Sequence, residues 1–182
     1  MRRYYTLASA VCLVVIVGAC ATGTDTGTTT NQQQDPTGGL VGTWISSSEN
    51  VAPLLKTLLA VDSIVANFNA QGGYSVTSYS ARNGNQTFTG TYTVTRSMRD
   101  TLSAPIYAID LRQATPTVLR SQGIYVVQTS MSPARMLYEV VQTEPPGGIA
   151  PTPAGGFGSS KNVMGVPLTG MFSNIQVYRK RS

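Results

Sequence analysis

The sequence predicts an all-β, antiparallel domain of eight strands with one short helix, carried behind an apolar leader and a polar tether. Three observations predict it. From Leu40 onward, short stretches of β-branched and aromatic residues are separated by turn chemistry. Phe88, Gly90, Tyr92 and Val94 alternate with Thr87, Thr89, Thr91 and Thr93, which gives a strand one apolar and one wet face. Helical spacing of large apolar residues after the tether occurs only between Asn50 and Leu59.

At the start of the chain, Met1, Arg2 and Arg3 form a basic segment, and Leu7 to Val17 is an uncharged apolar run too short to span a bilayer as a permanent helix. This order of parts predicts a cleavable export signal over residues 1–19. Residues 20–39 carry almost no large apolar side chain, so they cannot offset the entropy of ordering and are expected to form a flexible tether. As a random coil it would hold the domain, residues 40–182, on the order of 25 Å from its attachment point.

The first predicted strand runs from Thr43 to Ser48. A short amphipathic helix follows from Asn50 to Leu59, with Asn50 or Ser48 as the cap and Pro53 in the first turn. Strands from Ser63 to Asn69 and Tyr74 to Ala81 flank a Gly-Gly turn, and Asn83-Gly84 supplies a hairpin into the strand from Thr87 to Arg96. The remaining strands are Ile106 to Arg112, Val118 to Thr129, Met136 to Thr143 and Phe172 to Arg179. Between the last two, Glu144 to Gly170 is rich in Pro and Gly. It reads as a functional flap or, by preference, a disordered excursion with local packing through Phe157. Eight such strands can close into a barrel that removes both edges, or stack as a two-sheet sandwich.

Two resemblances sharpen this reading. Val17-Gly18-Ala19-Cys20 resembles the lipobox of bacterial lipoprotein precursors, which implies that Cys20 is lipidated after cleavage and anchors the chain to a membrane. The localisation this implies is the cell envelope, at the outer membrane facing the periplasm. Leu40-Val41-Gly42-Thr43-Trp44 resembles the Gly-x-Trp opening of lipocalins and of lipocalin-like domains in bacterial lipoproteins. It is joined by the helix after the first strand, the Phe68 to Tyr74 hairpin, Gly90-Thr91-Tyr92 and a basic residue in the last strand. The resemblance implies an up-and-down eight-stranded lipocalin-like barrel, with Trp44 closing one end under a last-strand arginine, Arg179 or Arg181. The chain departs from that family in its long segment before the last strand and in having no disulfide in the mature chain.

The chain contains no histidine, and its only cysteine besides Cys20 is Cys12, inside the leader. The usual general base, the thiol nucleophile and nearly all zinc ligand sets are therefore missing. Of the acids, only Asp110 and Glu139 fall inside predicted strands, and each is expected to face outward or to pair with an arginine such as Arg112 or Arg135. Ser159-Ser160-Lys161 and Gly155-Gly156-Phe157-Gly158 have the ingredients of a nucleophile and of a phosphate cradle, but no helix follows to support either. The formal charge is +5, from thirteen basic and eight acidic side chains, and falls to +3 without Arg2 and Arg3. The basic residues are scattered apart from Arg179-Lys180-Arg181, so no nucleic-acid footprint is present.

The expected function is thus non-enzymatic and without a cofactor. A barrel lined by some of the seven strand tyrosines from Tyr74 to Tyr178 would hold a small apolar or amphipathic ligand, although tyrosine also caps ordinary half-buried cores. The ligand mouth is expected opposite Trp44, beneath Leu54, Leu55 and Leu58 of the helix. The alternative is an envelope structural or interaction module that docks a protein or cell-wall partner through the Glu144 to Gly170 segment. The protein partner is unspecified by the sequence.

Overall fold

The computed structural model describes residues 35–100 and 104–182. Eight antiparallel strands close into a barrel: β1 (Gly42–Ser47), β2 (Ser63–Phe68), β3 (Gly73–Tyr79), β4 (Gln86–Asp100), β5 (Pro105–Thr115), β6 (Leu119–Gln128), β7 (Arg135–Glu144) and β10 (Ile175–Lys180). Each strand pairs with its neighbour in sequence, and β10 closes the ring by lying between β7 and β1. The two-residue strands β8 (Gly148–Ile149) and β9 (Lys161–Asn162) form a separate small hairpin in the segment between β7 and β10.

The period of two decides which side chains fill the barrel. Ile64, Ala66 and Phe68 of β2, Tyr92 of β4, Ile109 and Leu111 of β5, and Tyr178 of β10 are all buried, and each lies opposite another inward residue across its ladder. Gly90 and Gly123 occupy inward positions. A Cβ on Gly90 would lie 2.1 Å from the Arg112 carbonyl oxygen, and one on Gly123 would lie 2.0 Å from that of Glu139. Neighbouring backbones thus approach more closely at these two places than any other residue would allow, and at Gly90 the β4–β5 register also shifts.

The connection from β1 to β2 contains α1 (Pro53–Leu59). The helix begins later than its apolar spacing predicts: Ala52 is the N-cap, Pro53 is the first helical residue, and neither Ser48 nor Asn50 caps it. Amides at its start are satisfied by residues from the C-terminal part of the chain. The Ala52 N–H donates to Gln176 Oε1 at 2.8 Å, and the Leu54 N–H to the Ser173 carbonyl at 3.0 Å. Gln176 lies inside the barrel and also donates to Ser46 Oγ, so β1, β10 and the start of α1 meet at one polar node.

The segment from 145 to 174 differs most from the expectation of disorder. It folds back over the outer wall of β6 and β7, where Glu139 points away from the barrel interior and is fully buried. The Gly158 N–H donates to Glu139 Oε2 at 2.6 Å and the Ser160 N–H to Oε1 at 3.1 Å. Ile124, opposite Glu139 on β6, is sealed in the same way. Phe157 is only partly buried; Pro151, Ser160 and Asn174 are the buried residues of this segment.

Candidate functional site

One end of the barrel is a closed base. Trp44 is fully buried there, and its indole Nε1–H donates to the Leu40 carbonyl at 2.7 Å. Residues 35–40 form a plug rather than the last part of a tether. Asp35 accepts hydrogen bonds from the Thr37 amide and hydroxyl and from the Gly39 amide. Burial pushes the Asp35 carboxyl up, but these bonds and the nearby Lys180 charge more than offset it and hold it below its usual range. Tyr125 Oη donates to the Thr37 carbonyl at 2.6 Å, and Gly38 (φ +58°) lies where a Cβ would meet the Tyr107 ring at 2.3 Å. The domain therefore begins before residue 40.

The cation over Trp44 is Lys180, with its Nζ 5.3 Å from the ring centroid and 3.2 Å from the Gly39 carbonyl. Arg179, expected in that place, is exposed on the outside. Register explains the correction: Lys180 lies opposite Trp44 and so shares its inward face, whereas Arg179 lies opposite Ile45. Arg181 is also exposed.

The opposite end holds a cavity of about 380 Å³. Its walls are apolar, from Ile64, Val76, Phe88, Leu111 and Val140, and its outer part is edged by Ser78, Ser80, Gln86, Gln113 and Ser121. Deeper, Tyr74, Tyr138 and Tyr178 also line it. Burial pushes all three hydroxyls above their ordinary value of 10, Tyr138 and Tyr178 furthest, so they stay neutral. A smaller space of about 240 Å³ lies on the other side of Leu55, toward Leu168 and Asn174.

The three helix leucines separate in their roles. Leu55 is partly buried and borders both spaces, Leu54 borders only the smaller one, and Leu58 borders neither and is 61% exposed. Leu59, with Leu55, edges the main cavity instead. The helix spacing identified the cover but not which residues reach inside, because the node at Gln176 fixes the rotation of α1 and is invisible to local periodicity. The serines and glutamines of the mouth gave no signal of their own in the sequence beyond their even spacing within strands.

Chemistry-bearing residues elsewhere are committed to structure. Asp110 faces outward and is held by Arg120 rather than Arg112 or Arg135; Arg120 also reaches Glu144. Hydrogen bonding to Arg120 keeps the Asp110 carboxyl below its usual range. The Ser160 hydroxyl is buried and donates to Asn174 Oδ1 at 2.7 Å, while Lys161 is exposed. The Gly-rich turn does direct its amides at a carboxyl group, but it is that of the chain's own Glu139. Among the described residues, no group of three or more His, Cys, Asp or Glu side chains is placed to hold a metal ion. Cys20 and the export signal lie outside the described residues. Compared with protein-family models, curated proteins and solved structures, the chain matches none.

Proposed function

We propose that the domain is a non-catalytic binding protein that holds a small apolar or amphipathic molecule in its barrel, with α1 as the cover. The observation that carries this reading is the cavity at the end of the barrel opposite Trp44. About 380 Å³ falls within the range of small-molecule sites, and mostly apolar walls with a few polar points are what such sites present. A barrel serving only as a scaffold would gain stability by filling that volume with side chains. The lipobox-like sequence at Cys20 supports lipid anchoring, and anchoring at the outer membrane facing the periplasm would suit a barrel that carries lipids or other apolar molecules.

The other reading is an envelope module that docks a protein or the cell wall. It draws support from Val163, Met164 and Val166, which stand exposed around β9. Titration with N-phenylnaphthylamine, an uncharged dye whose emission rises in apolar surroundings, separates the two. Wild-type protein should take up the dye saturably. Leu55→Asp puts a carboxylate at the edge of the cavity and should weaken uptake by about tenfold or more without changing the far-ultraviolet signature of the barrel. Absence of saturable uptake by the wild type, together with loss of a partner on deletion of residues 145–160, would favour the docking module.

A further inference from the structure

Among the described residues, the cavity lining is uncharged throughout: it includes no Asp, Glu, Lys or Arg. The cations next in sequence to lining residues are outside the lining: Lys56, Arg82, Arg112 and Arg179 are exposed, and Arg120 is taken up by Asp110 and Glu144. Lys180 is taken up at the base by Trp44 and the Gly39 carbonyl. A carboxylate or ammonium entering this space would lose its water and find no counter-charge, which costs several kcal/mol for an ion in a real protein interior.

The space nevertheless asks for a hydrogen bond. Tyr178 is 4% exposed and Tyr74 8%, and with Tyr138 they border the inner part of the cavity. Tyr138 and Tyr178 meet edge to face, with ring centroids 5.9 Å apart. Other tyrosine hydroxyls of the barrel are spoken for: Tyr92 donates to the Asn69 carbonyl and Tyr125 to the Thr37 carbonyl. Among the described residues, the hydroxyls of Tyr74, Tyr138 and Tyr178 make no hydrogen bond; all three side chains line the main cavity, and Tyr138 and Tyr178 also line the smaller space beside it. Hydroxyls that line an apolar space and have no protein partner are satisfied by water or by a ligand.

We propose that the cavity selects an uncharged amphiphile, an apolar chain bearing a hydroxyl or carbonyl group, and seats that group on the tyrosine hydroxyls at its inner end. This rests on the ligand-binding reading above and narrows it to a chemical class. Head-first insertion follows from the layout. The polar group reaches the unpartnered hydroxyls, the chain lies along Ile64, Val76, Phe88 and Leu111, and Leu55 and Leu59 close over its end.

Calorimetric titration of the full chain carrying Cys20→Ser, so that no acyl chain of its own competes, tests the proposal with decanol, decanoate and decylammonium at about pH 8, where the latter two are charged. Decanol should bind about tenfold or more tightly than either ion. Tyr178→Phe should weaken decanol by about three- to tenfold, the worth of one neutral hydrogen bond, and should weaken decanol more than it weakens N-phenylnaphthylamine. Tyr138→Phe reads the same contact where Tyr178→Phe disturbs folding. Ser121→Lys, which brings a cation to the mouth, should raise decanoate affinity relative to decanol. Decanoate binding as tightly as decanol in the wild type, or decanol affinity unmoved by both tyrosine variants, overturns the selectivity while leaving a ligand-binding barrel intact. Failure of every probe, the dye included, overturns the ligand-binding reading and this one with it.

Discussion

At the scale of single residues, one register position decides the chemistry of the barrel base. Lys180 shares the inward face with Trp44, while the adjacent Arg179 faces solvent. The identity of Trp44 as a base residue was legible from its Gly-x-Trp setting. The choice among Arg179, Lys180 and Arg181 was not, because a shift of one residue exchanges the faces of a strand and the ladder partner of β10 lies far away in sequence. The consequence is measurable. Lys180→Ala should cost about 1 kcal/mol, from the contact over the indole and the bond to Gly39, and should shift Trp44 emission. Arg179→Ala should stay within about 0.5 kcal/mol of the wild type in denaturant titrations. Equal costs for the two substitutions would contradict this assignment of faces.

At the scale of elements, the strands follow from alternation and turn chemistry, and every one of the eight predicted stretches overlaps a barrel strand. Helix α1 was legible from the spacing of Val51, Leu54, Leu55, Leu58 and Leu59, but its start at Pro53 depends on Gln176 reaching the Ala52 amide from β10. The segment from 145 to 174 was not legible at all. Its Pro and Gly content matches that of a disordered excursion, and what orders it is a contact with a strand residue, Glu139, that no local pattern reveals. Removing that carboxylate strands two amides beneath the segment, each costing about 1–3 kcal/mol. Glu139→Ala should therefore free residues 150–160 from the wall, read as rapid proteolytic nicking there while the far-ultraviolet signature of the barrel persists. Unchanged resistance to protease would show that the segment is held by other means.

At the scale of the whole domain, the two barrel ends are specialised. The described chain enters through the plug at 35–40, so the base faces the N-terminal side, and the cavity opens at the far end beneath α1. The anchor proposed at Cys20 is tested by Cys20→Ser, which should move the protein from the membrane fraction to the soluble fraction; retention in membranes would remove lipidation from the account. The wall composition of the cavity was partly legible, since Tyr, Phe and Val recur on one face of the strands. Its being hollow was not, because that depends on how inward side chains and the close-approach glycines Gly90 and Gly123 sum around a closed ring.

Native mass spectrometry of the wild-type protein, gently extracted from membranes of its own cells, tests the central claim most directly. The account predicts a folded population that retains an uncharged small molecule and loses it on activation as a neutral, with Leu55→Asp carrying little or none. A wild-type spectrum showing only the bare protein, its anchor and a second polypeptide would contradict the carrier reading in favour of a docking module.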